Sequence, residues 1–401
     1  MKRYFHNLGE KIIEGLITIS GTVTSITVLL IVFYLFKEGL GVFSQTPVAE
    51  GAVLAIHPQN PVKELSAAEV KEIFDQNITN WNQVGGPNAP IKLFEVDDIT
   101  DYYTEEQIGP DFEYLPQRIN ELVSKDPNIL AFFPDEYLAK DFAGKRLELD
   151  NISLSQFLGG RQWYPTIQPA VQMGVLSLIL GTLWVSLGAI AIALPLGLAT
   201  SIYLAEIANP KLRNFLKPVI ELLAGIPSVV YGFFGLVVVV PLIQDVFGLP
   251  VGETALAGSI ILGIMALPTI ISVSEDALRT TPRAMKEASL ALGASKWQTI
   301  YKVMIPYSIS GISTAAILGI GRAIGETMAV LMVTGNASVI PSTFLEPVRT
   351  IPATIAAELG EAPQGGIHYQ ALFALGCILF LMTLAINLTV DMVSAKKKAN
   401  R

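Results

Sequence analysis

The sequence has 401 residues, of which 51% are hydrophobic and 15% are charged, and its mean hydropathy is +0.50. Average soluble domains carry about 25% charged residues, so this composition excludes an ordinary soluble enzyme and indicates a membrane protein. The formal net charge of -8 argues against a nucleic-acid binder.

The charge is divided unevenly along the chain. Residues 37–168 contain 10 basic and 21 acidic residues, a net charge of -11, whereas the remainder contains 17 basic and 14 acidic residues, a net charge of +3. We therefore predict two bodies, one acidic and one hydrophobic with a basic bias. The single cysteine, Cys377, excludes an intrachain disulfide.

Six segments are long and apolar enough to cross a bilayer core, which needs about 20 residues of helix. They are Ile17–Phe36 and residues 171–205, 215–240, 254–274, 303–333 and 371–390. The first is predicted to be a retained anchor, residues 1–38, because its apolar stretch is too long for a signal peptide and no Ala-x-Ala cleavage site follows it. The fold class expected is a polytopic α-helical membrane protein.

Lysines and arginines that flank the spans predict the orientation. With the N-terminus inside, the inner flanks carry 15 of these residues, from Lys2 to Arg401, against 1 in the two short outer loops, Arg349. Basic residues accumulate on the cytoplasmic side of membrane proteins. We therefore predict a multi-pass protein of the cell (inner or plasma) membrane with both termini in the cytoplasm.

Residues 39–168 are then predicted to be an external α/β domain inserted after the first span. Short apolar runs alternate there with turn signals such as Gly85-Gly86-Pro87. The stretch Ser66–Asp75 predicts a helix capped by Ser66, with Glu69 completing a capping box. Trp163 and Tyr164 follow where the chain returns to the bilayer, a position that aromatic residues favour.

The loop between the fourth and fifth spans, residues 275–306, contains the sequence EASLALGASKWQTIYKVMIP from Glu287 to Pro306. It predicts a short helix, Pro282–Leu292, that Gly293 ends, because glycine adopts positive φ without strain. Such a helix is either a solvated loop or a docking element. The chain contains no G-x-x-x-x-G-K-[ST] phosphate loop, so it does not hydrolyse nucleotide by that route.

This spacing resembles the EAA loop of ABC importer permeases, in which Glu-Ala-Ala is followed by Gly six positions after the Glu and then by Ile-x-Leu-Pro. Here Ser289, Val303 and Ile305 replace the usual Ala, Ile and Leu. The resemblance implies that the loop couples to a separate ATP-binding subunit. The coupling residues it implies are Glu287, Ala288, Gly293 and Pro306.

Three further stretches resemble PstC-type permeases of phosphate-specific ABC importers: ELLAGIPSVVYG at 221–232, GIGRAIGETMAV at 319–330 and TGN at 334–336. The resemblance implies a MetI-like five-helix core at residues 169–395, with no catalytic residue, metal or cofactor of its own. It also implies several partners: a PstA-like sister permease, a dimer of ATP-binding subunits, an extracytoplasmic phosphate-binding protein, inorganic phosphate and the lipid membrane, but no nucleic acid.

Arg322, Glu326 and Thr327 are the candidate substrate-path residues. Arg322 and Glu326 lie near the middle of the predicted fifth span at i and i+4, which predicts that they share a helix face. Charges inside a membrane must pair or face a polar pathway. The two could therefore form a structural ion pair, or Arg322 could present its guanidinium fork to phosphate oxygens, and the family resemblance favours the second.

The external domain resembles part of a phosphate-binding protein, chiefly over Ala55–Phe94. Where such proteins present a Ser/Gly/Thr-rich loop, this chain has EVDDITD, Glu95–Asp101, with four carboxylates. Those carboxylates would repel an anion. We predict a lobe that has lost ligand binding and that serves docking, gating or regulation.

Two other functions remain open from the sequence. The permease could carry another oxyanion, such as sulfate or molybdate. The chain could instead be a membrane sensor whose outer domain reads a signal. A sensor would more often carry a cytoplasmic signalling domain, and only about ten residues follow the last predicted span.

Overall fold

The computed structural model describes residues 2–49 and 51–399. Met1, Glu50, Asn400 and Arg401 lie outside the described residues, so Arg401, one of the basic residues used for the orientation, has no structural counterpart here.

Six helices in the described part of the chain are long and apolar enough to cross a membrane, as predicted. We call them the first to sixth spans. They are Ile13–Ser44, Leu176–Ile207, Ser228–Phe247, Ala255–Arg279, Lys296–Gly325 and Ile367–Thr389. The polytopic α-helical fold is therefore confirmed.

The spans consist of regular helix with short π-helical stretches. Their α-helices are Lys2–Gly41, Leu176–Ile202, Ser228–Phe234, Val240–Phe247, Ala255–Arg279, Lys296–Thr299, Ile305–Gly325 and Ile367–Ala399, and the π-helical stretches are Tyr203–Ile207, Gly235–Val239 and Ile300–Met304. The helices between them are Pro210–Ala224, Arg283–Ala291, Met328–Val333 and Ile351–Glu358.

Small residues bring the spans close together. The fourth span packs against the second and fifth spans, and a Cβ added at Gly188 of the second span would lie 2.3 Å from the Ser259 hydroxyl of the fourth. The Ser259 hydroxyl donates to the Val185 carbonyl at 3.2 Å, so the two backbones meet with little between them. Such small-residue contacts are how helices associate where lipid supplies no hydrophobic drive.

Between the first two spans lies a mixed α/β region, which we call the lobe, residues 51–150. Its strands are β1 Ala52–Ile56, β2 Glu64–Leu65, β3 Lys92–Glu95, β4 Ile129–Pro134, β5 Lys145–Arg146 and β6 Glu148–Leu149. Its helices are Ala67–Phe74, Ile99–Tyr102, Glu105–Ile108 and Leu115–Lys125, with 3-10 turns at Trp81–Val84, Val96–Asp98 and Asp135–Tyr137. Strands β3-β4-β1-β5 form one sheet in that order, and β2 pairs with β6.

The sheet of the lobe is covered on both faces, which is why β4 reads as an unbroken apolar run. Alternate residues of β1 enter different clusters: Leu54 packs with Val70, Ile73 and Trp81, and Val53 packs with Ile119 and its neighbours. The predicted capping box is present, because the Ser66 hydroxyl accepts from the Glu69 N–H and the Glu69 carboxylate accepts from the Ser66 N–H.

A junction segment, residues 151–175, connects the lobe to the second span. It holds the helix Leu154–Gly159 and an antiparallel hairpin of β7 Trp163–Tyr164 and β8 Gln172–Met173. Trp163 is fully buried rather than set at a bilayer interface as the sequence predicted. Its indole packs in a cluster that also contains Leu178 of the second span and Leu372 of the sixth.

The third span begins later than the sequence predicted. The helix Pro210–Ala224 ends at Gly225, and Pro227 caps a new helix that begins at Ser228. Pro227 has extended backbone, with φ -60° and ψ 142°, so the two helices are separate. Although Glu221 lies four residues after Lys217 on the first of these helices, Lys217 pairs with Glu275 and Asp276 instead.

The fifth span ends earlier than residue 333. Its helix stops at Gly325, and a separate helix, Met328–Val333, follows two residues later. The predicted shared helix face of Arg322 and Glu326 is therefore wrong. Glu326 has extended backbone, with φ -72° and ψ 135°, and projects from beyond the helix end.

Candidate functional site

The break after the fifth span is where the candidate path residues meet. The Glu326 carboxylate accepts a hydrogen bond from the Ala329 N–H at 3.4 Å, so it caps the helix Met328–Val333. The Thr327 hydroxyl donates to the Gly325 carbonyl at 3.4 Å. Interrupted helices of this kind are tolerated at membrane depth where they are buried in protein or line a cavity.

Arg322 lies one turn before the break and is half-buried. Among the described residues, no carboxylate lies within ion-pair distance of its guanidinium and no hydrogen bond to it is found. In the third span, the Tyr231 hydroxyl donates to the Leu223 carbonyl at 2.8 Å. The guanidinium therefore keeps its donors available within the bundle.

A cavity of about 480 Å³ borders the break. Gly325 and Thr327 form one wall, Leu379 of the sixth span contributes another, and the rest comes from the helix Ile351–Glu358 and the two residues after it. This 351–358 helix begins at Thr350, whose hydroxyl accepts from the Ala353 N–H at 3.4 Å. The structure thus places Thr327, but not the coupling residues, at the break.

The predicted coupling residues lie on an exposed surface at the far end of the fourth and fifth spans. Glu287 and Ala288 belong to the helix Arg283–Ala291, which has no buried residue. Gly293 follows with φ +85°, which explains why glycine occupies the turn. Pro306 is the second residue of the helix Ile305–Gly325.

This exposed surface is apolar as well as open. Leu292 at its tip is 89% exposed, and an adjoining groove of about 440 Å³ is lined by Met285, Ala288, Ser289, Leu292, Ala294, Lys302 and Val303. An exposed apolar groove rimmed by polar groups is typical of a protein-protein contact. The Ser289 and Thr299 hydroxyls, 3.0 Å apart, hold the two sides of the turn together.

Two charge contacts that the sequence did not reveal anchor this end of the bundle. Lys286 of the exposed helix forms an ion pair with Glu206 in the π-helical end of the second span. The Glu275 carboxylate, 1% exposed, binds Arg213 at 2.7 Å and Lys217 at 3.1 Å. Burial lowers the pKa of Lys217, but its hydrogen bonds to Asp276 and Glu275 outweigh that effect and raise it.

The partners in these contacts are distant in sequence, so periodicity cannot pair them. Lys286 and Glu206 are 80 positions apart, and Arg213 and Glu275 are 62 apart. One local signal was available, the i, i+4 spacing of Glu275 and Arg279, whose charged atoms lie 3.5 Å apart.

The carboxylate stretch of the lobe follows β3. Asp98 folds back so that its carboxylate accepts the Glu95 N–H at 2.9 Å. Glu95, Asp97 and Asp101 are exposed. The backbone that follows the strand is therefore surrounded by negative charge and has one of its N–H groups already bonded.

The sequence is similar to known transport proteins. Residues 193–399 match the family described as "Binding-protein-dependent transport system inner membrane component", and residues 36–104 match "PBP superfamily domain". The "Probable ABC transporter permease protein YqgH" of Bacillus subtilis is 40% identical, over 62% of this chain and 81% of that protein. The "Phosphate transport system permease protein PstC" of Mesorhizobium japonicum is 39% identical, over 61% of this chain and 79% of that protein.

One solved structure, the inward-facing MetNI methionine ABC transporter, aligns with 56% of this chain and 95% of its own at 20% identity and a TM-score of 0.43. The family match extends over more than half of the 401 residues, and the curated relatives are matched over most of their length. The chain belongs to the family of binding-protein-dependent transport-system inner-membrane components, in its PstC-type branch.

Proposed function

We propose that this chain is the transmembrane permease subunit of an ATP-driven importer of inorganic phosphate. The observation that carries the proposal is the guanidinium of Arg322, which has no partner among the described residues and lies one turn before the break in the fifth span. A planar guanidinium matches the oxygens of phosphate and holds its charge at every working pH. Relatives that are named phosphate transport permeases support this substrate.

The substrate path runs past Arg322 and Thr327. Arg322 supplies the charge and the donor fork, and the Thr327 hydroxyl supplies a further polar group at the cavity. Glu326 acts differently, because its carboxylate caps the following helix and so fixes the break without neutralising Arg322. A cation placed in a desolvated passage attracts an anion more strongly than it would in water.

The exposed loop docks a dimer of ATP-binding subunits, and a PstA-like permease completes the pore. This docking surface contains Glu287, Ala288, Gly293 and Pro306. The ATP-binding subunits that dock there supply the nucleotide hydrolysis. The apolar groove beside Leu292 supports a protein partner there. The basic flanks of the spans support a cytoplasmic location for this surface and for both termini, with the lobe outside.

The domain boundaries follow from the same proposal. Residues 1–38 form the anchor, 39–168 the external insert, 169–395 the permease core and 275–306 the coupling loop. The external insert faces the phosphate-binding protein but does not itself hold phosphate, because carboxylates surround the end of β3.

Uptake by the reconstituted complex tests the substrate. Vesicles that contain this chain, the sister permease, the ATPase and the binding protein should take up labelled phosphate only with ATP. Labelled sulfate and molybdate serve as parallel measurements, because a guanidinium fits any tetrahedral oxyanion. Uptake of sulfate or molybdate without phosphate uptake would contradict the proposed substrate. In a separate experiment, the chain is purified with whatever proteins it binds, and the absence of an ATPase among them would favour a sensor.

A further inference from the structure

Glu358 joins three parts of the molecule at the C-terminal end of the 351–358 helix. Its carboxylate accepts from the Trp163 indole N–H at 3.0 Å, pairs with Arg349 at 2.5 Å and contacts the His368 Nε2 at 2.9 Å. Burial raises the pKa of the Glu358 carboxyl, but the bonds from His368 and Trp163 and the charge of Arg349 outweigh it and lower the pKa. The carboxylate is therefore charged and fully engaged.

The helix that Glu358 ends is also held at its beginning. The Ile351 N–H donates to the Thr182 hydroxyl of the second span at 2.9 Å. A Cβ added at Gly181 would lie 2.3 Å from the Arg349 carbonyl, so the loop before the helix lies directly on that span. An eight-residue helix is too short to be stable alone. Its position therefore depends on its surroundings: these two attachments and the packing of Ile351 and Ile355 in the cluster that contains Leu372 of the sixth span.

The attachment through Trp163 belongs to the junction segment, which also packs against the lobe. Ala170 of the junction packs in the lobe's core, and the Gln172 side chain donates to the Ala67 carbonyl at 3.3 Å. On the same hairpin, Trp163 is buried among residues of the second and sixth spans and bonds Glu358. One hairpin thus contacts both the lobe and the helix that lines the cavity at the break.

We propose that Glu358 is a positioning residue through which the lobe restrains the 351–358 helix, keeping the lobe-side end of the pathway closed until a binding protein engages the lobe. The inference rests on the proposed function, because it presumes that the cavity beside Thr327 is part of the path. It assigns the inserted lobe a gating task and requires no ligand in the lobe. Trp163 transmits the restraint and Glu358 receives it.

The test uses the reconstituted complex and compares ATP hydrolysis without and with phosphate-loaded binding protein. Trp163→Phe keeps an aromatic ring in the cluster but removes the indole N–H together with part of the buried ring. We expect hydrolysis without binding protein to rise about tenfold, since a bond to a charged group is lost. Hydrolysis with the loaded binding protein should stay near the wild-type rate, which a merely structural defect would lower.

Trp184→Phe is the matched control, because the buried Trp184 N–H has no hydrogen-bond partner among the described residues. Glu358→Gln is the second variant, and it keeps the test decisive if Trp163→Phe fails to assemble. It retains the shape of the side chain but loses the ion pair with Arg349, so it should also raise the rate of ATP hydrolysis without binding protein. Wild-type unstimulated rates in an assembled Trp163→Phe or Glu358→Gln complex would overturn the gating role. Failure of loaded binding protein to stimulate the wild-type complex would instead overturn the proposed function.

Discussion

Arg322 is the residue on which transport would depend most directly under the proposed function. Arg322→Gln keeps a polar side chain, although a shorter one, and removes the charge and the donor fork, so we expect phosphate uptake to fall about a hundredfold, as when a preorganised charged donor is lost. Arg322→Lys keeps the charge without the fork and should be intermediate. Labelled-phosphate uptake into vesicles measures both.

Arg161→Gln is the matched control, because Arg161 is exposed in the junction segment, outside the spans. Assembly of each variant with its partner subunits is checked by co-purification, since Arg322 forms no ion pair among the described residues whose loss would disturb packing. Uptake by Arg322→Gln at the wild-type rate would remove the residue from the mechanism.

Single residues differ in how far the sequence could reveal their roles. Gly293 and the capping box at Ser66 were predictable because turns and caps are decided by neighbours in the chain. The shared helix face of Arg322 and Glu326 was predicted wrongly, because i, i+4 spacing has meaning only where the helix continues, and it ends at Gly325. The bond of Trp163 to Glu358 joins residues 195 positions apart and has no local signal.

At the scale of elements, the proposed function requires the exposed helix Arg283–Ala291 to transmit the movement of the ATP-binding subunits to the spans. Its ion pair from Lys286 to Glu206 joins it to the end of the second span. Lys286→Glu places two like charges together, and we expect ATP hydrolysis to continue while uptake per ATP falls several-fold. Glu206→Lys should do the same, and the double exchange Lys286→Glu with Glu206→Lys should restore coupling because the pair is re-formed with reversed charges.

The coupling ratio is measured as labelled phosphate taken up against ATP hydrolysed in the same vesicles. Lys296→Glu makes the same charge change on the exposed loop, where Lys296 has no ion pair among the described residues, and should leave the ratio near the wild-type value. If the double exchange were no better than either single variant, the pair would not be the connection between loop and span.

The number of spans was predictable because hydropathy over 20 residues is a strong signal. The ends of the spans were not predictable, since apolar residues continue in the sequence where the helix is interrupted. The stretch 215–240 reads as one span, yet Gly225 and Pro227 divide it into a surface helix and a span. The same composition also hides the separate helix Met328–Val333, because it lies beside the fifth span in sequence and is equally apolar.

At the scale of the whole molecule, the lobe with its flanks and the membrane body carry net charges of opposite sign. The net -11 of residues 37–168 belongs to the lobe and its flanks, whereas the +3 of the remainder belongs to the membrane body. An acidic lobe does not concentrate an anion around itself. This agrees with delivery of phosphate by a separate binding protein, after which the Arg322 guanidinium would act under the proposed function.

The lobe should accordingly bind no phosphate. Carboxylates of Glu95, Asp97 and Asp101 surround the end of β3, and Asp98 already occupies the Glu95 N–H that an anion would use. Calorimetric titration of phosphate into the full-length chain carrying Arg322→Gln, which leaves the lobe intact, should show no affinity tighter than about 1 mM. A phosphate-binding protein titrated under the same conditions is the positive control. Micromolar binding to the Arg322→Gln chain would mean that the lobe keeps a ligand site and would contradict this prediction.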